Sequence, residues 1–97
     1  MAGGRGFEWD DTKAASNRAA HGVPFETARR FDFERAEIMV DDRRAYGETR
    51  MVAVGEIDGR VHVLVYTERR DRIRVISLRK ANRKEIDRYA RFLQAQG

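Results

Sequence analysis

A chain of 97 residues, 41% apolar and 37% charged, is long enough for one domain burying about 60 to 70% of its unfolded surface, and too apolar to stay disordered. With no cysteine it has no disulfide framework and no thiolate chemistry, its two isolated histidines argue against a dedicated metal site, and no apolar run approaches a membrane span. Twenty Lys+Arg against sixteen Asp+Glu give a formal net charge of +4, and the expected setting is a reducing cytoplasm.

Residues 1–6, with three glycines, are expected to be a loose, disordered start to a single domain over 7–97. Phe7-Glu8-Trp9 reads as a short strand or anchor. Asp10 is placed to cap a helix over 11–21, which Gly22 ends in the left-handed conformation. Val23-Pro24-Phe25-Glu26 opens a second helix, with Phe25, Ala28 and Phe31 on its buried stripe. Alternation of Ala36, Ile38 and Val40 against Glu37, Met39 and Asp41 predicts a half-buried strand, followed by a polar loop over 41–47.

Residues 49–57 and 60–67 flank Asp58-Gly59, a strong signal for a type I′ hairpin. That turn opposes Ile57 to Arg60, Gly55 to His62, Ala53 to Leu64 and Met51 to Tyr66. One face then carries Met51, Ala53, Gly55, His62, Leu64 and Tyr66, and the other only valines: Val52, Val54, Val61, Val63 and Val65. The valine face is expected to be the core surface under the two helices, leaving the face of His62 and Tyr66 more open. After a charged loop over 68–71, residues 72–78 form another strand. Asn82 caps a final helix, with Glu85 completing a capping box and Ile86, Tyr89, Ala90 and Leu93 as its apolar stripe. The expected architecture is α+β: two N-terminal helices, an antiparallel sheet of about four strands and a C-terminal helix.

Charge is concentrated late in the chain. Residues 69–91 hold ten Lys or Arg against Asp71, Glu85 and Asp87, while the remainder holds ten basic and thirteen acidic residues. Seventeen of the twenty basic residues are arginine, whose planar fork pairs with phosphate and stacks on bases. Nucleic acid is therefore the first partner to consider, although a solvated basic face accounts for the same composition. Arg69, Arg70, Arg72, Arg74 and Arg83 are candidate RNA contacts on this reading.

No phosphate-binding glycine loop, HExxH, GxSxG or CxxC pattern occurs, which leaves arginine, lysine, histidine, tyrosine and carboxylates for any chemistry. Those suffice for metal-free RNA cleavage, in which the 2′-hydroxyl attacks its own phosphate. A base takes the 2′ proton, donors hold the charged phosphorane and an acid protonates the leaving oxygen. Lys13, Asn17 and His21 recur at four-residue spacing on the first helix, as an RNA-contacting edge or as a seam that orients the helix. His21 also suits a helix C-terminus simply as a cation. Glu48 and Arg50 point to the same side at a strand start, as base and phosphate clamp or as an ion pair. Tyr66 on the open face is placed to stack on a base or donate a proton, or simply to pack. Arg79, at a strand end, is a candidate transition-state donor. No cofactor or metal is called for.

Several strings together resemble BrnT-type toxins: Phe7-Glu8-Trp9-Asp10 with Lys13, Asn17 and His21-Gly22-Val23-Pro24-Phe25-Glu26-Thr27-Ala28, then Gly47-Glu48-Thr49-Arg50 and Tyr66-Thr67-Glu68-Arg69. The run Arg72-Ile73-Arg74-Val75-Ile76-Ser77-Leu78-Arg79-Lys80-Ala81, followed by Glu85 and Tyr89, extends the resemblance over nearly the entire chain. It implies a RelE-like fold and a ribonuclease toxin of a bacterial type II toxin-antitoxin pair. The implied partner is a BrnA-type ribbon-helix-helix antitoxin, with operator DNA reached only through their complex. Positions matching the family are Lys13, His21, Glu48, Arg50, Tyr66, Arg74, Arg79 and Tyr89. Departures are Ala20, where such toxins usually carry a basic residue, Leu78 in place of alanine, and Asp32-Phe33-Glu34 in place of Asp-Asp-Pro. A non-catalytic RNA-binding module and an inactive toxin kept for antitoxin binding and operon control are the competing readings.

Overall fold

The structure, a computed structural model, describes residues 6–42 and 47–97. In chain order it comprises strand β1 (Gly6–Glu8), helix α1 (Asp11–His21), 3-10 segments at Phe25–Arg30 and Phe33–Arg35, strands β2 (Glu37–Asp41), β3 (Arg50–Ile57), β4 (Arg60–Arg69) and β5 (Arg72–Lys80), and helix α2 (Arg83–Gln96). The loose start expected over 1–6 lies outside the described residues except for Gly6, which opens β1, and so does most of the polar loop after Asp42.

The central hairpin forms as its turn dictates. Asp58 and Gly59 take φ of 51° and 81°, and the register runs from Ile57↔Arg60 through Gly55↔His62 and Ala53↔Leu64 to Met51↔Tyr66. The expected loop over 68–71 contracts to a tight turn at Arg70-Asp71, where Arg70 has a φ of 57°. The sheet has five strands, not four, in the order β1-β5-β4-β3-β2. The extra strand is β1, which pairs parallel with β5 across more than sixty residues of chain, a partnership that no local pattern announces.

A single α-helix precedes the main sheet, not two. In α1, the Asp10 side chain accepts from the Lys13 N–H and Gly22 closes the helix with φ 73°. The second expected helix is instead 3-10. Phe25, Ala28 and Phe31 are all buried, and burial at every third residue matches three residues per turn, in which side chains at i and i+3 eclipse.

The two sheet faces are reversed from expectation. α1 and the 3-10 segments cover the face of Met51, Ala53, Gly55, His62, Leu64 and Tyr66, so Tyr66 is 3% exposed and His62 6%. The small residues make room there: a Cβ on Gly55 would lie 2.8 Å from Phe31 Cζ and 3.1 Å from Ala36 Cβ. Phe33 packs edge-on against both Phe31 and Tyr66, at ring separations of 4.8 and 5.7 Å. On the valine face, α2 covers only one end, burying Tyr89 against Val54, Val63 and Ala81, with Ile86, Phe92 and Leu93 alongside. Ala90, expected in the stripe, is exposed. The same reversal appears in β2, where Ile38 and Val40 are exposed and Asp41 is buried. β2 is the sheet edge, and the 3-10 segments pack on β3 instead.

Asn17 ties α1 to the sheet. Its amide nitrogen donates to Leu78 O (2.7 Å) and Val23 O (3.2 Å), and its Oδ1 accepts from Leu78 N (3.2 Å). Beyond the three-residue β1, this amide therefore satisfies the edge of β5 as a neighbouring strand would.

Candidate functional site

Where α2 stops, the valine face stays open as a groove of ≈ 540 Å³. Its floor is Val52, Val54, Val63 and Val65, and cross-strand pairing places polar residues at its sides. One row runs Glu37–Val54–Val63–Arg79, the next Met39–Val52–Val65–Ser77, and Asp41 stands beside Arg50 at the open end. A β-bulge widens the β5 side. Ser77 opposes Val65 while Val75 opposes Tyr66, so Ile76 is inserted, and both Ile76 and Ser77 line the groove while Val75 and Leu78 remain in the core.

Among the described residues three guanidiniums line the groove: Arg50, Arg79 and Arg88. Arg79 forms a bidentate pair with Glu85, Nη1 to Oε1 at 2.8 Å and Nη2 to Oε2 at 2.7 Å. Hydrogen bonding from Arg79 holds the Glu85 carboxyl below its ordinary value despite partial burial, and Glu85 in turn raises Arg79. Arg88 reaches from α2 to Glu37 Oε2 and Met39 Sδ, both at 3.2 Å. Arg50 Nε lies 3.9 Å from Glu48 Oε2, and Glu48 also meets Arg69 at 3.4 Å, which joins the groove to a second depression lined by Glu48, Thr49, Thr67 and Arg69. Farther along β5, Arg74 and Arg72 converge on Glu8 at 3.0 Å each, and the contact with Arg74 above all lowers the Glu8 carboxyl.

The structure therefore gathers part of the expected set. Arg50 and Arg79 share the groove, Glu48 adjoins it, and Arg74 points to the same face beyond Thr67. Lys13 and His21 are exposed on α1, across the sheet from the groove, and of the polar seam Asn17 has the helix-orienting role. Tyr66 is not on an open face; it is packed under Phe33. Arg69 and Arg70 are exposed at the β4–β5 turn, Arg72 is tied to Glu8 and to Phe7 O, and Arg83 is exposed with Asp87 at 3.3 Å. Sequence reasoning set Arg88 on the outer face of the last helix, as solvated charge or a phosphate-tracking rail, and did not place Glu37 or Asp41 in the site. Their signal was the alternation of β2, where the polar set Glu37, Met39 and Asp41 shares a face with the valines of β3, and the three-residue spacing of Arg88 from Glu85 on α2.

The class the structure defines is a small α+β domain with one sheet face covered and the other opened into an arginine-lined groove. The sequence model for the ribonuclease toxin BrnT of type II toxin-antitoxin systems matches residues 9–85, and the chain belongs to that family. The 1.1 Å crystal structure of the Brucella abortus ribonuclease toxin BrnT shares the fold with a TM-score of 0.65 and 25% identity, over 81% of this chain and 99% of that one. No curated protein matches the chain significantly. Among the described residues no helix is long and apolar enough to cross a membrane.

Proposed function

We propose that the protein cleaves RNA in the valine-floored groove by 2′-hydroxyl attack, without metal, as a cytoplasmic toxin that blocks translation. The observation that carries this reading is the convergence of Arg50, Arg79 and Arg88 around one open, apolar patch of sheet. Val52 and Val65, the part of the floor that α2 leaves half-exposed, seat a nucleoside by apolar contact, and the guanidiniums at the sides hold the phosphate. As the 2′ oxygen bonds to phosphorus and the bond to the 5′ oxygen breaks, charge grows on the non-bridging oxygens. Arg50 and Arg79 are the donors that stabilise it. Glu48, exposed beside Arg50, is the candidate base for the 2′ proton, and solvent in the open groove can protonate the leaving oxygen. Arg74 and the exposed Arg69, Arg70, Arg72 and Arg83 are proposed to track the backbone on either side. Lys13, His21 and Tyr66 are left out of the chemistry, since the first two stand across the sheet and the third is buried.

Membership of the toxin-antitoxin family supplies the expected inhibitor. The proposed partner is a BrnA-like ribbon-helix-helix protein that covers the groove, with operator DNA bound only by the complex. The test is incubation of antitoxin-free protein with total RNA in EDTA, followed by end-group analysis. Fragments ending in 2′,3′-cyclic phosphate support the reading. Intact RNA that still binds in a salt-dependent way would favour a non-catalytic module, and absence of both would favour an inactive toxin kept for its antitoxin.

A further inference from the structure

We propose that Glu85 is a positioning residue for this ribonuclease, orienting Arg79 end-on so that the guanidinium presents its side edge to the phosphate in the groove. The inference rests on the ribonuclease reading above. Arginine has five N–H groups arranged as two usable forks, one at the end and one along the Nε side. Glu85 occupies the end fork, taking one N–H from Nη1 and one from Nη2. The other Nη1 hydrogen is directed at Lys80 O, 3.4 Å away. Among the described residues, what remains is the adjacent pair at Nε and Nη2, a second fork with the spacing of two phosphate oxygens, on a side chain that lines the groove.

Glu85 is itself fixed. Its Oε1 also accepts from Asn82 N at 2.8 Å, while its own N–H donates to Asn82 Oδ1 at 2.9 Å, the reciprocal pair of a capping box. The orientation of Arg79 is thus referred through one carboxylate to the rigid first turn of α2. The contact with Arg79 also holds the Glu85 carboxyl below its ordinary value, which makes it a weaker proton acceptor and suits an anchor.

A capping box with an incidental ion pair would give the same picture, so the variants must separate cap from orientation. Glu85→Gln keeps a side chain that can complete the box but cannot take two N–H groups from Arg79. It is expected to melt within a few degrees of wild type, to cut kcat on a short RNA oligonucleotide about tenfold or more, and to leave KM nearly unchanged. In an Arg79→Lys background, where the fork is already gone, the same Glu85→Gln change is expected to cost less than about twofold. Full kcat in Glu85→Gln, equal losses in the two backgrounds, or loss of cleavage that accompanies unfolding would each overturn the proposal. A wild-type protein that leaves RNA intact under all conditions would overturn the ribonuclease reading and this inference with it. Cleavage by wild type together with any of the three former results would overturn the inference alone.

Discussion

Arg79 and Arg50 have the same residue type and the same charge as the eleven exposed arginines among the described residues, yet they line the groove with half-buried side chains. Replacing either with alanine should reduce RNA cleavage by about 10²- to 10³-fold, the usual loss when one donor to a developing charge is removed, with circular dichroism unchanged. Asn17 is the opposite case, a polar residue with no place in the chemistry. Asn17→Ala would leave the Leu78 N–H and C=O without their partner and should destabilise the fold by about 2–3 kcal/mol in urea unfolding. His62 makes stability depend on pH. Burial is the main cause holding its imidazole below the ordinary 6.5, so the folded state resists protonation. Its contribution is fully present above the ordinary value and is lost as pH falls through the lower folded value. Wild type should therefore lose stability as pH falls below the ordinary 6.5, and His62→Gln should lose less over the same range. Glu85 and Glu8, both depressed carboxylates, act at lower pH, below their ordinary 4.5.

At the scale of elements, what is local was legible and what depends on tertiary partners was not. Asp10, Gly22, Asp58-Gly59 and Asn82 with Glu85 each announce a boundary through their own backbone demands, and each stands where expected. The covered face of the hairpin does not follow from such signals. An unbroken row of valines reads as core, whereas Ala53 and Gly55 read as weak packing until the rings of Phe31 and Phe33 fill the space they leave. Gly55→Ala should for that reason cost about 1–3 kcal/mol by overpacking, measurable by denaturant unfolding, although alanine ordinarily favours strands over glycine. The 3-10 segment was misread because burial at 25, 28 and 31 suits either helix type over one turn; only the extended Phe31 and Pro24 that bound it confine it to six residues. The site residues divide the same way: Arg50 and Arg79 were named from their strand positions, while Arg88 and Glu37 enter the groove through the packing of α2 across β2 and β3.

At the scale of the whole molecule, the excess of positive charge at 69–91 lies along the end of β4, β5 and α2, but much of it is already answered. Arg72, Arg74, Arg79 and Arg88 each meet a carboxylate, from Glu8, Glu85 or Glu37. RNA must exchange with or add to these pairs, which favours a groove that is ordered before substrate arrives and a binding constant strongly dependent on salt. The slope of log K against log salt should fall by about one unit in Arg79→Ala relative to wild type. Cleavage of RNA in the groove on the valine face is tested most directly by one comparison of purified variants. RNA cleavage by Arg79→Ala and Arg50→Ala is measured beside Lys13→Ala and His21→Ala, all free of antitoxin. The prediction is that the groove pair falls by about 10²-fold or more while the α1 pair stays within about threefold of wild type. Loss of activity in the α1 pair with the groove pair intact would place the active site on the other side of the molecule.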